Sequence, residues 1–118
     1  MQCVVIDDYD RAAPRGVGAV KVAGNYAADM LPNMQAKKAG YPIGLYLDAK
    51  TNSMVEEFST SNFIAVDRQG ALVTPDSSTI LPSVTRRSLE EVSLSLNLGL
   101  RVYCCIPMLY LDSCGVVP

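Results

Sequence analysis

The sequence predicts one α/β (α+β) domain in which short central strands, antiparallel or mixed, are flanked by helices. Three observations predict it: a β-branched run near the amino terminus, several short apolar runs separated by turn residues, and two longer segments with helical spacing. The chain has 118 residues, which is enough for one compact core and too few for two ordinary domains.

The first elements predicted are a strand, a loop and a helix. Residues 3–6 form the β-branched run, and a polar cluster closes it. The residues that indicate a loop with unusual backbone angles are Pro14, Gly16 and Gly18. Residues at four-residue steps predict a helix over residues 26–38 that stops at Gly40. Because Pro32 lacks a backbone N–H, we expect the regular part of this helix to begin or kink there.

The central segment is predicted to form short antiparallel strands. The strand candidates are residues 43–47, 54–58, 63–66 and 71–73. Turn residues separate them at Asn52 and Ser53, and again at residues 67–70, which have the composition of a hairpin turn. Further along, apolar residues at mixed steps predict an amphipathic helix over residues 83–98 that ends at Gly99. This order of elements is typical of an α/β or α+β fold with a meander at its centre.

Charge and hydropathy argue against nucleic-acid and membrane partners. The net charge of −2 leaves no excess of basic residues for binding phosphates. No stretch approaches the roughly 20 apolar residues that a membrane-spanning helix needs. The first residues lack the basic flank and the long apolar run of a signal peptide, so we expect a protein of the cytoplasm or of an organelle matrix.

The side chains available for chemistry are limited, because the sequence contains no histidine. The four cysteines form no C-x-x-C pair, and adjacent Cys104 and Cys105 seldom bridge each other, so reduced thiols are expected. Zinc sites, Cys–His pairs and Ser-His-Asp triads are disfavoured, and no metal is expected. Acid–base chemistry near neutral pH would need a lysine, a carboxylate or a cofactor.

Lys21 is the first candidate for chemistry. It follows the glycine-rich loop and lies between small and apolar residues. Partial desolvation would favour its neutral amine, which is the form that attacks an aldehyde. The alternative is an ordinary lysine at the end of a strand, with its side chain in water.

Two further candidates are acidic and hydroxyl side chains. On a strand, Glu56 and Glu57 face opposite sides, so one of them can point inward, where it needs a cation or strong donors. The alternative is a charged edge strand. Thr85 opens the second predicted helix, where backbone N–H groups favour an anion such as phosphate. The alternative there is a plain N-cap formed by Ser83 or Thr85.

Four stretches of the sequence, taken together, resemble one protein family. They are GAVKVAGNY at residues 18–26, LYLD at 45–48, VEEFSTSNF at 55–63, and TP at 74–75 with ILPSVTR at 80–86. In order and spacing, from about Tyr9 to Leu100, they resemble the branched-chain amino-acid aminotransferases, which are class IV enzymes of fold type IV that depend on pyridoxal 5'-phosphate (PLP). The resemblance implies that residues 1–101 are part of the PLP-binding large domain. It also implies that the family's amino-terminal small domain is absent and that residues 102–118 form a divergent tail.

The resemblance implies roles for residues around the cofactor ring. Lys21 would be the catalytic residue, forming the Schiff base with PLP and moving the proton. Tyr26 would donate a hydrogen bond to the phenolic oxygen of PLP. Glu57 would face inward against the pyridine nitrogen, while Glu56 would face outward. Leu81 would pack on the ring face.

The remaining roles concern the phosphate and the substrate. Val84 and Thr85 would donate to the phosphate, and Thr60 would lie near the substrate carboxylate. The implied reaction is PLP-dependent transfer of the amino group of leucine, isoleucine or valine to 2-oxoglutarate, and a homodimer is a reasonable expectation. Two alternatives stay open: a related class IV enzyme, such as a D-amino-acid aminotransferase or a lyase, or an inactive fragment that associates with an intact enzyme.

Overall fold

The computed structural model describes residues 2–103 and 106–108. The elements in this part of the chain, in order, are β1 Val4–Ile6, α1 Ala23–Lys38, β2 Gly44–Leu47, β3 Met54–Phe58, β4 Ala65–Val66, β5 Leu72–Pro75, α2 Val84–Ser95, β6 Leu100–Tyr103 and β7 Ile106–Pro107. The mixed α/β fold class that the sequence predicted is confirmed. Neither helix in these residues is long and apolar enough to cross a membrane.

The strands form two sheets rather than one central meander. The first sheet has the order β1-β2-β3-β7, and the second has the order β4-β5-β6. Strand β1 is parallel to β2, and β5 is parallel to β6, whereas the other pairs are antiparallel. Strands β6 and β7 extend past residue 101 into the predicted tail, whose residues 104, 105 and 109–118 lie outside the described residues.

Two apolar clusters hold the layers together. The larger cluster joins the two sheets and contains Leu45, Leu47, Val55, Phe63, Val73 and Ile106. The smaller cluster packs α1 on the first sheet and contains Ile6, Ala36 and Tyr46. Because neighbouring side chains on β2 point to opposite faces, Leu45 and Leu47 reach the first cluster and Tyr46 reaches the second. The Tyr46 hydroxyl donates to Asp29 Oδ1 of α1 at 2.6 Å, which fixes the helix on the sheet.

Helix α1 differs from its prediction at Pro32. The helix begins at Ala23 instead of residue 26 and continues through Pro32 without interruption in its assignment. The prediction that regular helix begins at Pro32 is therefore wrong. The Pro32 ring is fully buried, so packing outweighs the loss of one helical hydrogen bond.

The predicted turn between β2 and β3 is confirmed and is held by Asp48. Its carboxylate accepts hydrogen bonds from the backbone N–H groups of Thr51, Ser53 and Met54. Asn52 takes a positive φ of 49° in this turn. Burial alone would raise the pKa of Asp48. These hydrogen bonds, together with one from the Thr51 hydroxyl, outweigh burial and lower the pKa to about 2. The carboxylate therefore stays charged, and the turn stays closed, at neutral pH.

The glycines of the first loop are required for close packing, not for unusual backbone angles. Neither Gly16 nor Gly18 has a positive φ, so that prediction is wrong. A Cβ atom on Gly18 would instead overlap the backbone carbonyl of Thr79. Gly70, in the hairpin turn between β4 and β5, does take a positive φ of 81°. The loop before Lys21 thus packs tightly on the segment that leads to α2.

We expect Gly18→Ala to lower the free energy of unfolding by ~1–3 kcal/mol, because the added methyl group must displace the Thr79 backbone. The matched control is Gly24→Ala in the first turn of α1, where an added Cβ meets no neighbouring atom of the described residues within 4 Å. This control should leave stability unchanged or raise it by up to ~1 kcal/mol. Urea denaturation measures the free energy of unfolding of both variants. Equal effects of the two substitutions would contradict the close packing at Gly18.

Candidate active site

One cleft opens where the loop after β1, the start of α1, the segment after β3 and the start of α2 meet. Its volume of about 410 Å³ is within the range of cofactor and small-molecule sites. The predicted site residues that line it are Lys21, Tyr26, Glu57, Thr60, Leu81 and Thr85. Residues from three separate segments of the chain, 21–26, 57–60 and 81–85, are thus brought together on one surface.

Lys21 lies in the extended segment directly before α1, on the open side of the cleft. Its Nζ lies 5.4 Å from the centroid of the Tyr26 ring, which is within the range of a cation–π contact. The side chain is exposed, so the predicted desolvation is not found, because no other element of the described residues covers this side of the cleft. The Asn25 side chain donates to the carbonyls of Val17 and Val20 at 2.9 and 2.8 Å and so fixes the turn that leads to Lys21.

Glu57 forms the floor of the cleft and is only 5% exposed. Its Oε1 lies 2.7 Å from Arg11 Nη2, and its Oε2 accepts a hydrogen bond of 2.9 Å from Asn62 Nδ2. The sequence predicted that an inward carboxylate needs a cation or strong donors, and Arg11 and Asn62 supply them together with the backbone N–H of Leu81. Burial raises the pKa of Glu57, while Arg11, the backbone N–H of Leu81 and Asn62 partly oppose this effect.

Arg11 and Asn62 are the site residues that the sequence did not reveal. Arg11 is 8% exposed, and its Nη2 also donates to the Thr79 carbonyl at 2.6 Å. Asn62 Nδ2 donates to the Leu81 carbonyl at 2.9 Å as well as to Glu57. Arg11 follows an acidic cluster and resembles a surface residue in sequence. The sequence indicated such a residue only indirectly, because an inward-facing Glu57 needs a cation.

The outward orientation predicted for Glu56 is wrong. Its side chain leaves β3 on the side opposite to Glu57, but it is also only 5% exposed. It accepts hydrogen bonds from the hydroxyls of Thr79 and Ser77, the latter at 3.2 Å. The segment between β5 and α2 covers this side of the strand through Ser77 and Thr79, which is why Glu56 is buried as well.

The start of α2 forms another wall of the cleft. Ser83 is the N-cap, and its Oγ accepts from the backbone N–H of Arg86 at 3.2 Å. Thr85 therefore has no capping role, and it lines the cleft instead. Val84, the first residue of α2, is 72% exposed and is not among the lining residues, so its predicted role rests on its backbone N–H. The N–H groups of Val84 and Thr85, at the start of this helix, favour an anion.

Comparison with known proteins places this cleft in a family. The family model described as amino-transferase class IV matches residues 2–111. The chain belongs to the class IV aminotransferases. A branched-chain-amino-acid aminotransferase of Haemophilus influenzae is 44% identical over 94 residues, which cover 75% of this chain and 27% of the relative. Aminotransferase atnJ of Emericella nidulans is 44% identical over 103 residues, which cover 81% of this chain and 30% of the relative.

Solved structures agree with this family. The branched-chain amino acid aminotransferase from Escherichia coli superposes with a TM-score of 0.76 at 30% identity, over 87% of this chain and 34% of that chain. The T.th. branched-chain amino acid aminotransferase, complexed with N-(5'-phosphopyridoxyl)-L-glutamate, superposes with a TM-score of 0.75 at 27% identity. This match covers 86% of this chain and 33% of that chain. The chain thus spans about a quarter of the curated relatives' length and a third of these structures.

The residues of the cleft fit PLP, the cofactor of this family. PLP carries an aldehyde, a phenolic oxygen, a pyridine nitrogen and a phosphate. The cleft offers a lysine amine, a tyrosine hydroxyl, a buried carboxylate and a helix amino terminus, respectively. Glu57 is the buried group among these four, and a protonated pyridine nitrogen would add a second cation beside it, next to Arg11.

We expect Asn62→Ala to lower the free energy of unfolding by ~1–3 kcal/mol, because both Glu57 and the Leu81 carbonyl lose a buried donor. The pKa of Glu57 should also rise, since Asn62 lowers it in the native chain. Ser61→Ala, at the exposed neighbouring position, is the control and should change neither quantity. Urea denaturation at neutral pH checks the stability, and an unchanged stability of Asn62→Ala would show that these bonds are not formed.

Proposed function

We propose that this chain carries the PLP-binding part of a branched-chain amino-acid transaminase, which transfers the amino group of leucine, isoleucine or valine to 2-oxoglutarate. The observation that carries the proposal is the convergence of Lys21, Tyr26, Glu57 and Thr85 on one cleft. The names of curated relatives from Haemophilus influenzae and Helicobacter pylori, both branched-chain-amino-acid aminotransferases, support the choice of substrate class.

Each group has a distinct task in this proposal. Bound PLP supplies the aldehyde that takes up the amino group and the ring that withdraws electrons. Lys21 Nζ holds the cofactor and moves the proton at the substrate Cα, because the chain has no histidine for this task. Tyr26 donates its hydroxyl proton toward the phenolic oxygen.

Glu57 and the start of α2 orient the two ends of the cofactor. The Glu57 carboxylate holds a proton on the pyridine nitrogen, and the charge of that nitrogen offsets the burial of Glu57. The N–H groups at Val84 and Thr85, with the Thr85 hydroxyl, bind the phosphate. Leu81 covers one face of the ring and excludes water, and Thr60 receives the substrate carboxylate at the open side of the cleft.

A second candidate is an inactive piece that associates with an intact enzyme or with a second copy of itself. The exposed apolar side chains of α1 favour it: Met30, Leu31 and Met34 are 72%, 45% and 47% exposed. A related class IV enzyme with another amino donor is a third candidate, which a panel of amino donors separates. The homodimer and the location in the cytoplasm or an organelle matrix stay predictions.

Reduction with borohydride tests the proposal. The chain is mixed with PLP and reduced, and the adduct is located by peptide mass spectrometry. We expect the phosphopyridoxyl group on Lys21, because Lys21 is the lysine that lines the cleft. Lys21→Arg should abolish this adduct, whereas Lys50→Arg, at an exposed lysine outside the cleft lining, should leave it in place.

Two outcomes would contradict the assignment. One is the absence of an adduct on Lys21. The other is comparable labelling of Lys37, Lys38 and Lys50, which would indicate reaction with any accessible amine.

A further inference from the structure

Glu56 is a second buried carboxylate that the proposed reaction does not use. It forms no ion pair within the described residues, and its Oε1 instead accepts hydrogen bonds from two hydroxyls, those of Thr79 and Ser77. These two hydroxyls also contact each other at 2.7 Å. A buried carboxylate without a cation is costly. The burial of Glu56, on the side of β3 opposite to Glu57, therefore requires a structural reason.

Thr79 connects this carboxylate to the floor of the cleft. Its hydroxyl donates to Glu56, and its backbone carbonyl accepts from Arg11 Nη2 at 2.6 Å. The same nitrogen of Arg11 lies 2.7 Å from Glu57 Oε1. Arg11 Nε has no hydrogen-bond partner in the part of the chain that the structure describes. The position of the guanidinium group is therefore set mainly by two acceptors, Glu57 and the Thr79 carbonyl.

We propose that Glu56 is a positioning residue: by holding the Thr79 hydroxyl, it fixes the Thr79 carbonyl and thereby keeps Arg11 in contact with Glu57. The inference rests on the proposed function, since it assigns Glu56 to the support of the residue that meets the cofactor nitrogen. A hydrogen bond to an ionised acceptor is stronger than one between neutral groups, which explains a carboxylate at this position. A displacement of the carbonyl by ~1 Å would break its bond to Arg11.

The charged groups around Glu57 define what the test must hold constant. Arg11 and Glu56 lie closest, and Glu56 raises the pKa of Glu57 while Arg11 lowers it. Lys21, Tyr26 and Arg86 share the cleft from α1 and α2. Substitutions at Thr79 keep all of these charged residues in the sequence, and Thr79→Val removes only the hydroxyl that contacts Glu56 and Ser77.

The decisive measurement is the pKa of the Glu57 carboxyl group in the chain without PLP. Carbon NMR of that carboxyl group monitors the titration. Thr79→Val removes the hydroxyl, loosens Arg11 and should raise the pKa of Glu57 by about one pH unit. Thr79→Ser keeps the hydroxyl and should restore the native value. If Thr79→Val leaves this pKa unchanged, the proposal is overturned.

A second pair of variants tests Glu56 itself. Glu56→Gln and Glu56→Met both remove the charge, but only glutamine keeps an acceptor for the Thr79 hydroxyl. We expect a higher pKa of Glu57 in Glu56→Met than in Glu56→Gln, and equal values would overturn the proposal. If Glu56→Met does not fold, the two Thr79 variants decide.

A titration with PLP separates this inference from the proposed function. Thr79→Val should bind PLP about tenfold more weakly than the native chain, while Thr79→Ser should bind it as the native chain does. If the native chain does not bind PLP but the Thr79 variants change the pKa of Glu57 as expected, the positioning role stands and the proposed function fails. If PLP binds equally to both variants and the pKa is also unchanged, the positioning role fails and the proposed function stands.

Discussion

The buried contact between Glu57 and Arg11 is the interaction on which the rest of the cleft depends. A carboxylate buried near the end of β3 is stable there only if a cation and hydrogen-bond donors surround it. Arg11 and Asn62 meet that need, and each of them also bonds to the backbone on the approach to α2, at Thr79 and Leu81. The loop after β1, the strand β3 and the start of α2 are thereby tied to one side chain, and the cleft follows from that convergence.

Other contacts place the reactive groups around Glu57. Gly18 allows the first loop to lie directly on Thr79, and Asn25 holds the turn that delivers Lys21 at the mouth of the cleft. The start of α2 adds N–H groups at another wall, with Ser83 as the cap. A lysine amine, a buried carboxylate and a helix amino terminus are the three groups that the proposed cofactor would meet here.

Local signals in the sequence predicted the elements well, and non-local contacts account for the errors. The strand at residues 54–58 and the turn closed by Gly70 depend on neighbouring residues, and both were found as predicted. The division into two sheets depends on Phe63 and Val73 packing on Leu45, which no local pattern shows. Pro32 remains helical because tertiary packing covers it. Arg11 could not be identified from the sequence, since only the fold brings it to Glu57. The burial of Glu56 was missed because Thr79, in the segment between β5 and α2, covers it.

We propose that Glu57 meets a protonated pyridine nitrogen in this cleft. Nitrogen NMR of the chain bound to PLP labelled at the pyridine nitrogen, recorded at neutral pH for the native chain and for Glu57→Gln, tests this contact. We expect the chemical shift of a protonated nitrogen in the native complex and that of an unprotonated nitrogen in the variant. An unprotonated nitrogen in the native complex, or identical shifts in the two complexes, would contradict it.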